Sequence, residues 1–409
     1  MESSQRAALP NTLKKRNYLT ILNAFRGTEP LSANDVSAST GISRATVMKA
    51  VNHFMEKGLL ESAGKGPSTE IGGKKPELFQ FGMQRYLLCI GMQGEEMTAC
   101  LYDLRSSMIA QKKAAFHMDC SVQDFLNTVQ QTADEMLQEV PGGRELLYGM
   151  SLFVGGVFQE ETGVLQYSVL TPGWGYNVPL RDLLAERFPG IEIMIDNVAR
   201  MSACAAVLDN RDYEKRRVAV VYTDVGVSAC YIDKGHVQHG PNGMIGEIGP
   251  MVLSISETQP YTWGQPAFFS TLISEEKLCA QVLANPEELE KSSLKFWENE
   301  LTLRHIFAES EKGDILAQNI VKQAAWAFSA ALHNIVLNFD PEVIIIQGNY
   351  AFAGTWFDGC LHEGLACFPR NTDEVSFLVQ YDKRPLISLQ MMGATKLLTR
   401  KFFSSSEWI

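Results

Sequence analysis

The sequence predicts an α/β protein in two parts, a small helical module followed by a larger two-lobed body. Two observations lead to this prediction. Between residues 12 and 55, apolar residues recur every three or four positions, which is typical of amphipathic helices. From Tyr86 onward, short apolar runs rich in Val and Ile alternate with longer amphipathic segments, which is typical of strands and helices packed in layers.

Residues 31–60 predict two short helices joined by a tight turn. Ser32 can cap the first helix, and Gly41 can supply the left-handed backbone with which many helices end. Ser43 can then cap a second helix, whose apolar residues follow at helical spacing, namely Val47, Ala50, Val51, Phe54 and Met55. These are the features of a helix-turn-helix, and a preceding amphipathic helix at about 12–26 would complete a three-helix unit.

The first turns of the second helix carry the side chains that we predict to meet DNA. In a helix-turn-helix, this part of the second helix reaches base edges in the major groove. The alternative is an ordinary three-helix bundle whose exposed face contacts only water. Because the caps, the periodicity and the turn agree with the first interpretation, we predict DNA contacts for Ser43, Arg44, Ala45, Thr46 and Lys49.

The segment from Leu59 to Phe81 predicts a strand, a basic glycine-rich turn and a second strand, which is the pattern of a wing. From such a hairpin, Lys65, Lys74 and Lys75 could neutralise DNA phosphates or reach a minor groove. For each of these lysines, the alternative is a loop position that contacts only water.

Charge is divided unevenly along the chain. Residues 1–82 hold 11 Lys and Arg against 7 Asp and Glu, a balance of +4, and the rest of the chain holds 25 against 40, a balance of −15. Only the first part has the sign that a phosphate backbone attracts. We therefore expect double-stranded DNA to contact the N-terminal module and to be repelled by the body.

The cysteines and the apolar runs predict the compartment. The eight cysteines form no CxxC pair and mostly fall in apolar patterns, so we expect buried free thiols rather than disulfides or a metal site. The sequence shows no signal peptide and no apolar stretch of about 18 residues. These features predict a cytoplasmic protein that enters no membrane, binds no metal and uses no cofactor.

The body begins with three strands, a long amphipathic helix and a further strand, and a second series of strands begins near Arg217. This order is that of the actin-like, ribonuclease-H-like fold, whose two lobes enclose a cleft that is the default ligand site. We predict a DNA-binding domain at 1–82, a first lobe at 83–196 completed by 390–409, and a second lobe at 197–389.

Six motifs occur in a specific order along the chain. They are ISRATVMKAV in the helix-turn-helix, GGKKPELF at the wing, TPGWGYNVPL at 171–180, GMIGEIG at 243–249, DPEVIIIQG at 340–348 and MMGATKLL near the end. Together they resemble the ROK family of repressors, open reading frames and sugar kinases, in its branch of winged-helix regulators. The resemblance covers nearly the whole chain and implies a sugar-kinase fold behind the DNA-binding domain.

The resemblance also implies three glycine-rich phosphate turns, and all three are altered here. The D-x-G-G-T turn of family kinases matches 91–95, where Glu95 puts a carboxylate in the place of phosphate. The G-x-G-I-G-x-G turn matches 224–230, which keeps one of four glycines and begins with Asp224. The third turn, at 347–348, keeps one of two glycines. Carboxylates at such positions repel phosphate.

The general base and the zinc site of the family are also altered. Family kinases carry Asn-Asp after the strand that matches 191–195, and this chain carries the swapped pair Asp196-Asn197. An Asn amide cannot accept the proton of a sugar hydroxyl. Pro250 replaces the zinc-binding His, and 251–275 contains no Cys or His, so four N/S ligands cannot be assembled there. We predict no catalytic residues and no enzymatic activity.

The sugar-binding side of the family site is better preserved. The resemblance implies that Glu247 of the GEIG motif hydrogen-bonds sugar hydroxyls, and that Asp196 and Asn197 place polar groups beside the cleft. Gly155 and Gly156 would let the backbone approach a ligand. For Glu247, the alternative is a structural role in capping the next loop.

These observations predict a transcriptional regulator of carbohydrate metabolism, of the repressor type. A sugar or sugar derivative would bind between the lobes and change the spacing of two winged helices on an operator, in a homodimer or homotetramer. One alternative is an ATP-dependent sugar kinase with a DNA-binding module, in which Asp196 would serve as the base. The other is a regulator that responds to a protein partner instead of a sugar.

Overall fold

A winged helix-turn-helix precedes two five-stranded sheets in the computed structural model, which describes residues 2–27, 29–66, 75–208, 210, 212–255, 265–368 and 377–408. The N-terminal module is a bundle of three helices with a small antiparallel sheet at its side. Its elements are α1 (Glu2–Ala24), β1 (Leu31–Ser32), α2 (Ala33–Thr40), α3 (Arg44–Glu56), β2 (Leu60–Lys65) and β3 (Glu77–Phe81).

The ends of α2 and α3 are fixed by the predicted caps. Ser32 Oγ accepts the Asp35 N–H at 3.3 Å, and the Asp35 carboxylate accepts the Ser32 N–H at 2.8 Å, which makes a capping box. Gly41 ends α2 at φ +70°, a conformation that favours glycine. Ser43 starts α3 by accepting the Thr46 N–H at 3.3 Å. The structure confirms the caps at Ser32, Gly41 and Ser43.

Helix α1 is longer than predicted. The periodic pattern placed it at about 12–26, whereas α1 begins at Glu2 and ends at Ala24. The extension was missed because its first residues, ESSQR, are polar and carry no apolar periodicity, although most of them tolerate a helix. The strands of the wing are confirmed: β2 pairs with β3 in antiparallel register, and the turn at 67–74 lies outside the described residues.

The buried face of α3 agrees with the predicted stripe except at one residue. Val47, Ala50, Val51 and Phe54 are fully buried against α1 and α2. Met55, which was predicted on the same stripe, is 36% exposed. At 3.6 residues per turn it lies about 80° around the helix from Val47, at the edge of the buried face.

The first lobe is built on a sheet in the order β10-β7-β4-β5-β6. Its first three members run parallel, and the remaining strands continue from β4 as an antiparallel meander. Its elements are β4 (Tyr86–Gln93), β5 (Glu96–Asp103), β6 (Met108–Ala115), α4 (Val122–Gln138), β7 (Leu147–Val154), β8 (Val157–Gln159), β9 (Val164–Tyr167), α5 (Leu180–Arg187), β10 (Glu192–Asn197) and α6 (Val198–Leu208).

The second lobe repeats this topology in the order β13-β12-β11-β16-β17, with the last three parallel and the first three antiparallel. The repetition is that of a two-lobed actin-like fold. Its elements are β11 (Arg217–Thr223), β12 (Val227–Asp233), β13 (His236–Val237), β14 (Val252–Ile255), β15 (Pro266–Phe268), α7 (Phe269–Leu272), α8 (Glu275–Leu283), α9 (Pro286–Leu289), α10 (Leu303–Glu311), α11 (Ile315–Phe339), β16 (Val343–Gly348), α12 (Gly354–Cys367) and β17 (Leu378–Asp382).

The last helix, α13 (Leu386–Ser404), returns to the first lobe and packs on α6, β4 and β7. The two helices cross closely at Gly393, where an added Cβ would lie 1.9 Å from the main-chain oxygen of Met201. Only a residue without a side chain allows this approach. The predicted boundaries at 82 and 196 stay a proposal, although the one at 196 falls within β10 and ahead of α6, and α13 starts before residue 390.

The cysteines are free thiols, and most of them are buried. All eight cysteines are free, and Cys89, Cys100, Cys204, Cys230 and Cys360 are buried, as predicted. Cys120, Cys279 and Cys367 are more accessible. In the described parts of the chain, no helix is both long and apolar enough to cross a membrane.

The crossing at Gly393 gives a stability test. Gly393→Ala should lower the free energy of unfolding by about 1–3 kcal/mol, because the new methyl group must push α13 away from the α6 backbone. Urea titration followed by circular dichroism measures this difference.

The matched control for this test is Gly359→Ala, in α12. Its added Cβ would meet nothing within 4 Å, so alanine should leave stability unchanged or raise it by up to about 1 kcal/mol. Equal effects of the two substitutions would contradict the proposed clash.

Candidate functional site

The first turns of α3 face solvent. Arg44, Ala45 and Lys49 are exposed, and so is Ser43 just before the helix. Thr46 is half-buried, and its hydroxyl lies 2.9 Å from the Ser43 hydroxyl. Ser43 and Thr46 thus already bond to each other at the cap, and the positive charge of this face comes from Arg44 and Lys49. DNA contact by these five residues stays a prediction.

The predicted wing lysines are only partly described. Lys65 is exposed at the end of β2 and lies opposite Glu77 in the strand register. Lys75 is exposed just before β3, and Lys74 lies outside the described residues. Contact of any of the three with phosphate remains a prediction.

The DNA-binding module contacts the chain just beyond α13 through main-chain carbonyls. Lys57 Nζ, at the end of α3, donates to the carbonyl of Glu407 at 2.7 Å. His53 Nε2, in the last turn of α3, lies 3.0 Å from the carbonyl of Trp408. No sequence motif indicated these contacts, because the partners are more than 340 residues apart and the acceptors are main-chain atoms.

An aromatic cluster supports the same contact. Phe81, at the end of the wing, packs against Phe402 and Phe403 of α13, with ring centroids 6.1 and 5.1 Å apart. The guanidinium of Arg26 lies over the Phe403 ring at 5.1 Å, and the Trp408 ring lies 4.9 Å from Phe402. The module is therefore packed on the end of α13, and a displacement of this helix would displace the module.

A cavity of about 420 Å³ lies between the two lobes. Four of the five predicted ligand residues line it, namely Gly155, Gly156, Asn197 and Glu247. The second lobe also contributes Asp224, at the start of the altered phosphate turn. The structure thus brings these residues together in one cavity at the position where the two-lobed fold is expected to bind a ligand.

Asn197 shapes this cavity through its own hydrogen bonds. Its Nδ2 donates to the main-chain oxygen of Gly156 at 2.6 Å, and its Oδ1 accepts the Ala199 N–H at 2.7 Å, which starts α6. Gly156 has φ +150°, and a Cβ there would lie 2.8 Å from the Tyr167 oxygen. A glycine is required at this position, and the Asn197 amide holds the glycine loop against the cavity.

The prediction for Asp196 needs correction. Asp196 does not line the cavity of Asn197 and Glu247, but a separate cavity of about 610 Å³. Neighbouring residues of a strand point to opposite faces, and Asp196 precedes Asn197 in β10. Its carboxylate pairs with Arg200 and accepts the Asn197 N–H at 2.7 Å, and these contacts join the end of β10 to α6.

Two half-buried carboxylates face the cavity. Burial raises the pKa of Glu247 above its ordinary value, and the charge of Arg200 opposes this shift. Burial likewise raises the pKa of Asp224, against hydrogen bonds from the Tyr222 hydroxyl at 3.4 Å and from the Val225 N–H. The sequence indicated Asp224 only as an obstacle to phosphate, and its place in the interlobe cavity was missed.

Tyr222 connects this cavity with α13. Its hydroxyl donates to Asp224 Oδ2 and accepts a hydrogen bond from Gln390 Nε2 of α13 at 3.2 Å. Gln390 and Tyr222 are both buried, in different lobes. A continuous series of contacts therefore runs from the cavity through α13 to the DNA-binding module.

The nucleotide side of the cleft is acidic. A second cavity of about 420 Å³ is lined by Asp224, Glu275 and Glu276, and the described residues around it include no Lys, Arg or His. The third phosphate turn is filled by Gln347, which is fully buried and bonds to the Ser202 hydroxyl at 2.8 Å. The described lining therefore offers the phosphates of a nucleotide three carboxylates and no side-chain cation.

Trp174, in the TPGWGYNVPL motif, packs in the core of the first lobe. It is buried, its Nε1 donates to the Cys120 carbonyl at 3.1 Å, and its ring lies 4.9 Å from Phe125. Phe268, from the segment without zinc ligands, lines the interlobe cavity.

In the described part of the chain, no group of three or more His, Cys, Asp and Glu is arranged to hold a metal ion.

Comparison with known proteins gives the same two-part organisation. The sequence model of the ROK family matches residues 87–361, and that of the MarR family matches residues 15–66. The xylose repressor of Caldicellulosiruptor bescii is 21% identical to the chain, over 90% of each protein. The DNA-binding transcriptional dual regulator NagC of Escherichia coli is 20% identical, over 82% of this chain and 81% of its own length.

A solved structure extends the likeness to the whole fold. The crystal structure of a ROK family transcriptional regulator, a homologue of the E. coli MLC protein, matches with a TM-score of 0.74 at 20% identity. The match covers 96% of this chain and 97% of that chain. Because the ROK sequence model alone spans more than half of the residues, the protein belongs to the ROK family, and its two-lobed body follows a MarR-type winged helix-turn-helix.

Proposed function

We propose that this protein is a cytoplasmic transcriptional repressor of carbohydrate metabolism, and that a sugar bound between its lobes changes its affinity for an operator. The observation that supports this function most directly is the position of α13. One end of this helix bonds to Tyr222 beside the cavity, and the chain after its other end bonds to α3. The relatives named above, a xylose repressor and a transcriptional regulator, have names that agree with such a role.

The sugar would act by favouring one angle between the lobes. A ligand shifts such an equilibrium only through different affinities for the two states, and this cavity has one wall on each lobe. Rotation of the lobes would pull on α13 through Gln390, and α13 would carry His53 and Lys57 with it. In a homodimer or homotetramer, recognition helices must match half-sites about 34–36 Å apart, so a small rotation weakens binding.

The same geometry supports the loss of kinase chemistry. A kinase of this fold needs a carboxylate at the sugar hydroxyl, phosphate-binding glycine turns and a divalent ion. Here Asn197 occupies the place beside the cavity, Asp196 faces away and is paired with Arg200, and Asp224 and Glu275 make the nucleotide side acidic. We therefore propose that the body binds sugar without phosphorylating it.

The DNA contact can be tested at Arg44. Arg44→Ala should weaken binding to an operator selected from a random duplex library by about 10- to 100-fold, because an exposed cation at the start of a recognition helix is removed. Fluorescence anisotropy at one fixed salt concentration measures the change. Lys277→Ala, which removes an exposed cation of α8, is the control and should bind as the wild type does. Equal loss in both variants would contradict the proposed DNA face.

The catalytic proposal is tested by ADP release with Mg²⁺, ATP and a panel of hexoses, pentoses and amino sugars. We expect no turnover above the background of a protein-free reaction. Turnover that disappears in Asp196→Asn would show that Asp196 acts as a base in spite of its orientation and would support the kinase alternative.

Signal transmission is tested at Gln390. Gln390→Leu keeps the size of the side chain but removes the donor to the Tyr222 hydroxyl, so the variant should bind sugar within about twofold of wild type and lose most of the sugar-dependent change in operator affinity. Glu247→Gln is the contrasting variant, since it should lose sugar binding itself. An unchanged sugar response in Gln390→Leu would exclude this route, and a sugar panel that never raises the melting temperature would favour a protein partner as effector.

A further inference from the structure

The interlobe cavity has an unbalanced charge. Asp224 and Glu247 both line it, and none of its described lining residues is Lys, Arg or His. The charge of Arg200 reaches Glu247, but its guanidinium is bonded to Asp196, which lines the other cavity. Two carboxylates therefore face one cavity without a side-chain cation among its lining residues.

The partners of these carboxylates within the protein are few and mostly weak. Asp224 accepts the Val225 N–H and, at 3.4 Å, the Tyr222 hydroxyl. The Tyr222 hydroxyl is at the long limit of a hydrogen bond, whereas charge-assisted bonds are usually shorter than 3 Å. For both Asp224 and Glu247, removal from water is the largest influence on the pKa and opposes ionisation. A half-buried carboxylate without a cation is unfavourable, and a cationic ligand would relieve this cost.

The donors in the rest of the lining are uncharged. The Asn197 amide is already bonded to Gly156, and the side chains of Gln93, Thr171, Ser228 and Ser270 are neutral groups that suit sugar hydroxyls. Much of the remaining wall is apolar and includes Met92, Leu170 and Phe268. A phosphate would therefore meet two negative charges and no side-chain cation among the described lining residues, whereas an ammonium group would meet carboxylate acceptors.

We propose that the effector of this cavity is a sugar with a free amino group, recognised as an ammonium ion by Asp224 in a cavity that Glu247 makes more negative. The inference rests on the proposed sugar-binding function and names the chemical class of the sugar. It implies that the neutral sugar with the same ring configuration binds more weakly than the amino sugar. It also implies that N-acetylation or phosphorylation of the amino sugar lowers its affinity for the cavity.

Matched sugar pairs test this proposal by isothermal titration calorimetry on the full chain. The pairs are glucose with glucosamine, galactose with galactosamine and mannose with mannosamine, together with the N-acetylated and 6-phosphorylated form of each amino sugar. We expect one amino sugar to bind at least about tenfold more tightly than its neutral partner, and this preference to shrink as KCl is raised.

Two variants assign the preference to a residue. Asp224→Asn keeps the size of the side chain and should bring the amino sugar and its neutral partner to within about twofold of each other. Glu276→Gln, which neutralises an exposed carboxylate of the neighbouring cavity, should keep the full preference.

The outcomes separate this proposal from the general function. A neutral, N-acetylated or phosphorylated sugar that binds as tightly as the free amine, or an amine preference that survives in Asp224→Asn, would overturn the ligand class and leave sugar sensing intact. If none of these sugars binds, the proposed sugar effector fails, and the amino-sugar proposal fails with it.

Discussion

The close crossing of α13 over α6 constrains the rest of this molecule. With Gly393 against the Met201 backbone, α13 lies deep on the first sheet, close enough for Gln390 to reach Tyr222 of the second lobe. The same depth brings Phe402 and Phe403 under the wing. A bulkier residue at the crossing would change the contact of α13 with the second lobe. It would also change the surface on which the DNA-binding module packs.

The sequence was sufficient to predict features that depend on neighbouring residues. It was not sufficient for features that depend on residues far apart in the chain. The caps at Ser32 and Gly41 depend on atoms within a few residues, so a local pattern was sufficient to predict them. The opposite directions of Asp196 and Asn197 depend on which face of β10 packs against which lobe, and this is a property of the assembled sheet. The place of Asp224 and Glu247 in one cavity likewise depends on how separate segments of the chain are assembled.

The cleft has the place of a kinase site in this fold, but its residues differ from those that phosphoryl transfer requires. Asn197 holds a glycine loop in place, Gln347 fills a phosphate turn with hydrogen bonds to Ser202, and Asp224 introduces charge where phosphate would be bound. The walls of a cavity large enough for a sugar persist beside these changes. On the proposed function, recognition and catalysis are physically separable on this fold, because they depend on different atoms of the same loops.

The bonds between α3 and the chain after α13 have a consequence for how such a contact evolves. Lys57 and His53 meet the main-chain oxygens of Glu407 and Trp408, and a carbonyl is present whatever side chain is attached to it. Residue 407 can therefore drift in sequence without breaking the bond. Paired substitutions, which reveal many long-range contacts in alignments of relatives, need not appear here. A structural connection of this kind can persist through divergence and leave little trace in the sequences that encode it.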